Sequence, residues 1–101
     1  MQLILKYKNS IADICIKNKI RTCYLFGSAA KGHFTETSDI DFIIDLEKDG
    51  GDYFERFMTV KHALEKLFNR QVDLLVRESI RNPYLNKEIE RTQELIYAAR
   101  V

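Results

Sequence analysis

The stretch that decides the fold reads Leu25-Phe26-Gly27-Ser28-Ala29-Ala30-Lys31-Gly32 and, a few residues on, Ser38-Asp39-Ile40-Asp41-Phe42-Ile43-Ile44. Thr22–Phe26 is a short β-rich run that stops at a Gly-Ser turn. Glycine there lets the backbone come close to a ligand, and the N–H groups that open a following helical turn favour a phosphate. Ser28 adds a hydroxyl that can donate to a phosphate oxygen. A lone Gly-Ser is also what an ordinary strand–helix turn looks like.

Residues 40–46 read as a second strand. Side chains two apart on a strand share a face, so Asp39 and Asp41 project together while Ile40 and Phe42 point the other way. Two adjacent carboxylates repel, the more so in an apolar run. A divalent cation resolves that conflict, and Mg²⁺ takes carboxylate oxygens while keeping positions open for phosphate. The bland alternative is a solvated edge strand with outward polar residues. Asp45, followed closely by Glu47, Lys48 and Asp49, reads as turn chemistry at the strand's end.

Val72-Asp73-Leu74-Leu75-Val76 sets one aspartate inside an apolar strand spanning 71–76. Buried carboxylates are rare unless paired or metal-bound. If this strand lies beside 40–46, Asp73 completes a three-carboxylate cage of the kind that holds metal ions in phosphoryl transfer. A salt bridge from Asp73 to Arg70 or Arg77 is the competing reading.

The remaining chain fits around these strands. Leu3, Ile4, Tyr7, Ile11, Ile14 and Cys15 recur at helical spacing and predict one amphipathic helix over 3–18, with Ser10 and Asp13 offering an alternative capped start. Phe54, Phe57, Met58, Leu64 and Leu67 predict a helix over 53–68, with Tyr53, Phe54 and Phe57 in the core. After the turn at Asn82-Pro83, Leu85, Ile89, Leu95 and Ile96 predict a last helix to about Ala99. The order implies an α/β (α+β) fold, a small mixed sheet with helices packed on it, and one domain over 1–101.

Charge and composition narrow the function classes. The chain has 101 residues, 46% of them hydrophobic, and a formal net charge of +1. Near-neutrality argues against a protein held to nucleic acid by bulk charge. Yet the charge is segregated: net +5 over 1–34, −7 over 35–55 and +3 over 56–101. Cys15 and Cys23 read as reduced, buried thiols, and no Cys/His cluster suggests zinc. No apolar run suits a signal peptide or a membrane span, so a cytoplasmic protein is expected. His33 and His62 read as solvent-facing. Tyr84, Leu85 and Tyr97 read as packing residues, some of them free to meet a partner.

Gly27-Ser28, then Asp39-x-Asp41, then Asp73 on a later strand resembles the polymerase-beta-like nucleotidyltransferase superfamily. The small size and the run Leu-Phe-Gly-Ser-Ala-Ala-Lys-Gly…Ser-Asp-Ile-Asp-Phe-Ile-Ile-Asp resemble its minimal nucleotidyltransferase (MNT) branch. The resemblance implies that Gly27 and Ser28 hold a nucleoside triphosphate and that Asp39 and Asp41 bind Mg²⁺. It implies that Asp73 binds the catalytic metal and helps activate an acceptor hydroxyl. One position departs from the family pattern: Lys31 stands where an arginine is common, keeping the charge but losing the planar fork.

Members of the MNT branch are antitoxins of small helical HEPN-type RNase toxins. The resemblance therefore implies Mg²⁺-dependent transfer of AMP from ATP to a tyrosine of such a partner. Two other functions stay open at this stage: nucleotide transfer to a small molecule such as an antibiotic, and a non-catalytic antitoxin that acts by binding alone.

Overall fold

The computed structural model describes residues 2–30 and 39–99, apart from the side chains of Gln2, Leu3, Ser28 and Ala29. Strands β1 (Ile20–Phe26) and β2 (Ile40–Leu46) form the antiparallel centre of a four-stranded sheet. β3 (Val72–Val76) lies parallel to β2, and β4 (Glu94–Ala98) lies antiparallel to β1, giving the order β3-β2-β1-β4. β2 is central and buried on both faces, which is why Ile40 to Ile44 reads as an almost continuous apolar run.

A parallel pair needs a crossover, and α4 (Tyr53–Phe68) supplies it between β2 and β3. Asp52 starts that helix by accepting the Glu55 N–H, and Asn69 ends it in the left-handed conformation at φ 52°. On one face of the sheet α1 (Gln2–Lys6), α2 (Lys8–Lys17) and α4 bury Ile4, Ile11, Cys15, Val60 and Leu64 against Cys23, Leu25 and Phe42. On the other face α5 (Pro83–Thr92) sets Ile89 against Phe26 and Ile43. Asn82 caps α5 by accepting from the Tyr84 and Leu85 N–H groups.

Three expectations need correction. The helix predicted over 3–18 is two helices that meet at Tyr7, whose ring packs edge-on to Phe68 at 5.3 Å. Ser10 lies inside the second of them rather than at its start. The last helix ends at Thr92, and Glu94–Ala98 returns as an edge strand. A continuous helix would put Ile89 and Ile96, seven residues apart, on one side. Here they enter clusters on opposite faces of the sheet.

The third concerns α4. Its buried stripe is Arg56, Val60 and Leu64, so Tyr53 and Phe54 turn outward, 43% and 74% exposed. The Arg56 guanidinium takes a core position because it donates to four carbonyls: Asn18 (3.0 Å), Lys19 (2.6 Å), Glu47 (3.0 Å) and Gly51 (3.4 Å). Gly50 leaves it room, since a side chain there would run into the guanidinium. The two cysteines are buried and reduced, as expected, and their mutual contact with burial keeps the Cys23 thiol well above the usual range.

Candidate active site

The site is assembled by strand register. Phe26 sits opposite Asp41 in the β1–β2 pair, so the chain leaves β1 at Gly27 beside that carboxylate. Gly27 adopts φ +73°, and a Cβ there would lie 3.1 Å from Asp41 Cγ and overlap its Oδ2. Two independent reasons therefore require glycine, the backbone conformation and the closeness of the carboxylate. Ser28 follows in the short helix α3 (Gly27–Ala30). The Ser28 hydroxyl, Lys31 and His33 lie outside the described residues.

The parallel β2–β3 pair puts Asp73 directly beside Asp41. Asp39 stands just before β2, two residues from Asp41 and on its side of the strand. That side is the one α5 covers farther along, through Ile43. Asp41 is half-buried, whereas Asp39 and Asp73 are exposed.

The electrostatics single out Asp41. Its pKa is pushed up to about 6, first by burial, then by the charge of Asp73, then by that of Asp39. Among the described residues no ion pair reaches any of the three, and the proposed bridge from Asp73 to Arg77 does not form. Nor are three ligating side chains among the described residues already gathered tightly enough to cage a metal ion. The three aspartates share a sheet face and a mutual repulsion. They offer only hard oxygen donors, and a divalent cation at this face would relieve the repulsion that raises Asp41, so the donor set suits Mg²⁺.

Asp45, read from the sequence as turn chemistry, is instead a compensated carboxylate within β2. It accepts the Thr22 hydroxyl at 2.7 Å and lies 3.5 Å from Arg77 Nε. Arg77 also donates to the Gln93 side chain at 2.6 Å and stacks 5.2 Å from the Tyr24 ring centroid. These partners are 16 to 23 residues away in two of the bonds, so local sequence carries no sign of them. The contrast matters for the site: Asp45 has a counter-charge in Arg77, and among the described residues Asp39, Asp41 and Asp73 have none. His62 is exposed on α4, as expected.

Comparison with known proteins agrees with the fold. A family model described as polymerase beta, nucleotidyltransferase matches residues 9–100. A Methanocaldococcus jannaschii protein named as a candidate protein adenylyltransferase is 36% identical over 96 residues, covering 95% of this chain and 91% of its own length. The protein adenylyltransferase MntA of Thermococcus cleftensis is 30% identical over 63 residues, 62% of each chain. Among solved structures, one described as a candidate minimal nucleotidyltransferase superposes with a TM-score of 0.79, with 24% identity and 92% of both chains covered. A toxin–antitoxin crystal structure with AMP-PNP gives 0.73 at 23% identity, covering 92% of this chain and 74% of that one. With the family model matched over residues 9–100 and a relative 36% identical across 95% of this chain, the chain belongs to the polymerase beta nucleotidyltransferase family.

Proposed function

We propose that the chain is an Mg²⁺-dependent protein adenylyltransferase that moves AMP from ATP to a tyrosine of a helical HEPN-type RNase toxin, and so acts as its antitoxin. The observation that carries this reading is the β2–β3 register, which sets Asp73 beside Asp41 at the mouth of the Gly27 turn. The names of the relatives support the reaction class. A structural neighbour described as a tri-AMPylated Shewanella oneidensis HEPN toxin with its MNT antitoxin supports the choice of partner.

In this reading Gly27 and Ser28 receive the triphosphate, with Gly27 keeping the backbone free of side-chain bulk beside Asp41. Asp39, Asp41 and Asp73 would together hold Mg²⁺. Mg²⁺ would supply charge neutralisation on the α-phosphate and on the departing pyrophosphate. The acceptor oxygen bonds to the α-phosphorus, and the bond from that phosphorus to the bridging oxygen breaks as pyrophosphate leaves. Asp73, exposed at the sheet edge, takes the hydroxyl proton at a carboxylate oxygen. Residues 1–101 act as one minimal cytoplasmic domain, and the partner presents the acceptor. No helix among the described residues is long and apolar enough to cross a membrane.

The test mixes purified chain, Mg²⁺, α-labelled ATP and the helical protein encoded beside it. Label should appear on that protein and disappear with Asp39→Asn or Asp41→Asn. Absence of label, or label that survives both substitutions, overturns the proposal.

A further inference from the structure

Away from the carboxylates, the described residues form an apolar groove of about 320 Å³ where α4 meets the free side of the sheet at β3. It is lined by Tyr53, Phe54 and Phe57 from α4 and Leu74, Leu75 and Val76 from β3, with Leu46 and Ser79. Phe54 is 74% exposed. Such a side chain on α4 contributes little to the core, which the helix reaches through Arg56, Val60 and Leu64.

The exposed charges next to the lining residues in sequence are one-sided. Glu47, Asp52, Glu55, Asp73 and Glu78 each adjoin a lining residue in sequence, and all five are exposed. Of the two arginines that also adjoin the lining, Arg56 is buried, 5.3 Å from the centroid of the Tyr53 ring, and Arg77 is largely covered. Arg56 is spent on four backbone carbonyls, and Arg77 on Asp45 and Gln93. An apolar trough with an acidic rim, its neighbouring cations withdrawn, is complementary to an apolar segment flanked by lysine or arginine.

The groove is also continuous with the candidate active site. Leu75 lines it and packs on the face covered by α5, the face that carries Asp73 two residues earlier on the same strand. A chain seated in the groove at Leu75 is therefore about 7 Å along β3 from the Asp73 position.

We propose that this groove docks the protein acceptor, gripping an apolar segment flanked by basic residues so that a hydroxyl farther along the same chain reaches Asp73. The acceptor part of this statement rests on the adenylyltransferase reading, while the binding part stands on the groove itself. The acidic rim speeds and orients the encounter, and the aromatic wall sets the residence time. Specificity for the acceptor then resides in Tyr53, Phe54 and the rim residues other than Asp73, apart from the residues that handle the nucleotide.

The experiment measures binding without requiring transfer. A fluorescent synthetic peptide with Leu-Phe-Leu between Lys-Arg pairs is titrated with the full chain and followed by anisotropy. A second peptide carries Glu-Glu pairs in their place. The basic peptide should bind and weaken as salt is raised, and the acidic one should not bind. Phe54→Ser and Glu55→Lys should each weaken the basic peptide about tenfold while leaving the affinity for ATP with Mg²⁺ unchanged.

Equal binding of the two peptides, or unaltered binding by both variants, overturns the proposal. So does loss of ATP affinity in Phe54→Ser, which would make the groove a nucleotide-base pocket. A wild-type dimer in sedimentation that becomes a monomer in Phe54→Ser would assign the groove to a second copy and overturn it as well. Failure of AMP transfer with peptide binding intact would count against the proposed function and leave the groove's occupant standing.

Discussion

Replacing Asp41 by asparagine should stabilise the metal-free protein while removing its activity. The shift of Asp41 from 3.8 to about 6 corresponds to ~3 kcal/mol of differential interaction between its two protonation states. The side chain is only half-buried, so solvent screening reduces that to about 1–2 kcal/mol. The sign follows from proton binding. An acid with a raised folded pKa holds its proton more tightly folded than unfolded. Its cost is absent below about pH 3.8, grows as pH rises, and is complete above about pH 6.

Asparagine keeps the shape beside Gly27 and carries no charge, so at pH 8 it escapes the whole cost. Thermal unfolding by circular dichroism should show Asp41→Asn melting ~5–10 °C above the wild type at pH 8. At pH 4.5 the gap should shrink by about two thirds. Adding Mg²⁺ at pH 8 should raise the wild-type midpoint and leave the variant's unmoved. A variant no more stable than wild type at pH 8, or a gap independent of pH, would refute the reasoning.

Three further outcomes follow from the packing. Gly27→Ala combines a strained positive φ with overlap on the Asp41 carboxylate; a loss of ~1–3 kcal/mol in urea unfolding should accompany loss of nucleotide binding. Arg56→Lys keeps a charge but cannot reach four carbonyls from three segments, so it should cost about 3 kcal/mol by denaturant titration. Ile96→Ala, in the edge strand that replaces the expected helix, should cost ~2–4 kcal/mol, and an exposed-helix residue would cost far less.

What the sequence made legible was whatever depends on short-range pattern. The period-two alternation of Asp39, Ile40, Asp41 and Phe42 gave the strand and the side its carboxylates face, because a strand's geometry leaves no other arrangement. The pairing of β2 with β3 is only a condition in the sequence, because nothing local says which strands are neighbours, and the observed register meets it. The end of the chain misled because Ile89 and Ile96 fit a helical repeat by spacing alone. The signal against a helix was the β-favouring run Leu95-Ile96-Tyr97 after Gln93. Tyr53 and Phe54 were misassigned for a different reason. Hydrophobicity nominated them for the core, and a charged residue with long-range carbonyl partners displaced them. Asp45 was equally opaque, since Thr22 and Arg77 come to it only through folding.

The Arg56 clamp also bears on how slowly the molecule comes apart. It joins the turn after α2, the end of β2 and the loop before α4, partners 37 and 38 residues distant at Lys19 and Asn18. Those segments meet only once β1 and β2 have zipped and α4 has docked, so the clamp closes late in folding. Interactions made after the rate-limiting barrier leave the folding rate almost untouched and set the unfolding rate. Arg56 is thus a latch on the lifetime of the native state: weakening it should raise the unfolding rate at every denaturant concentration while refolding proceeds at its normal pace.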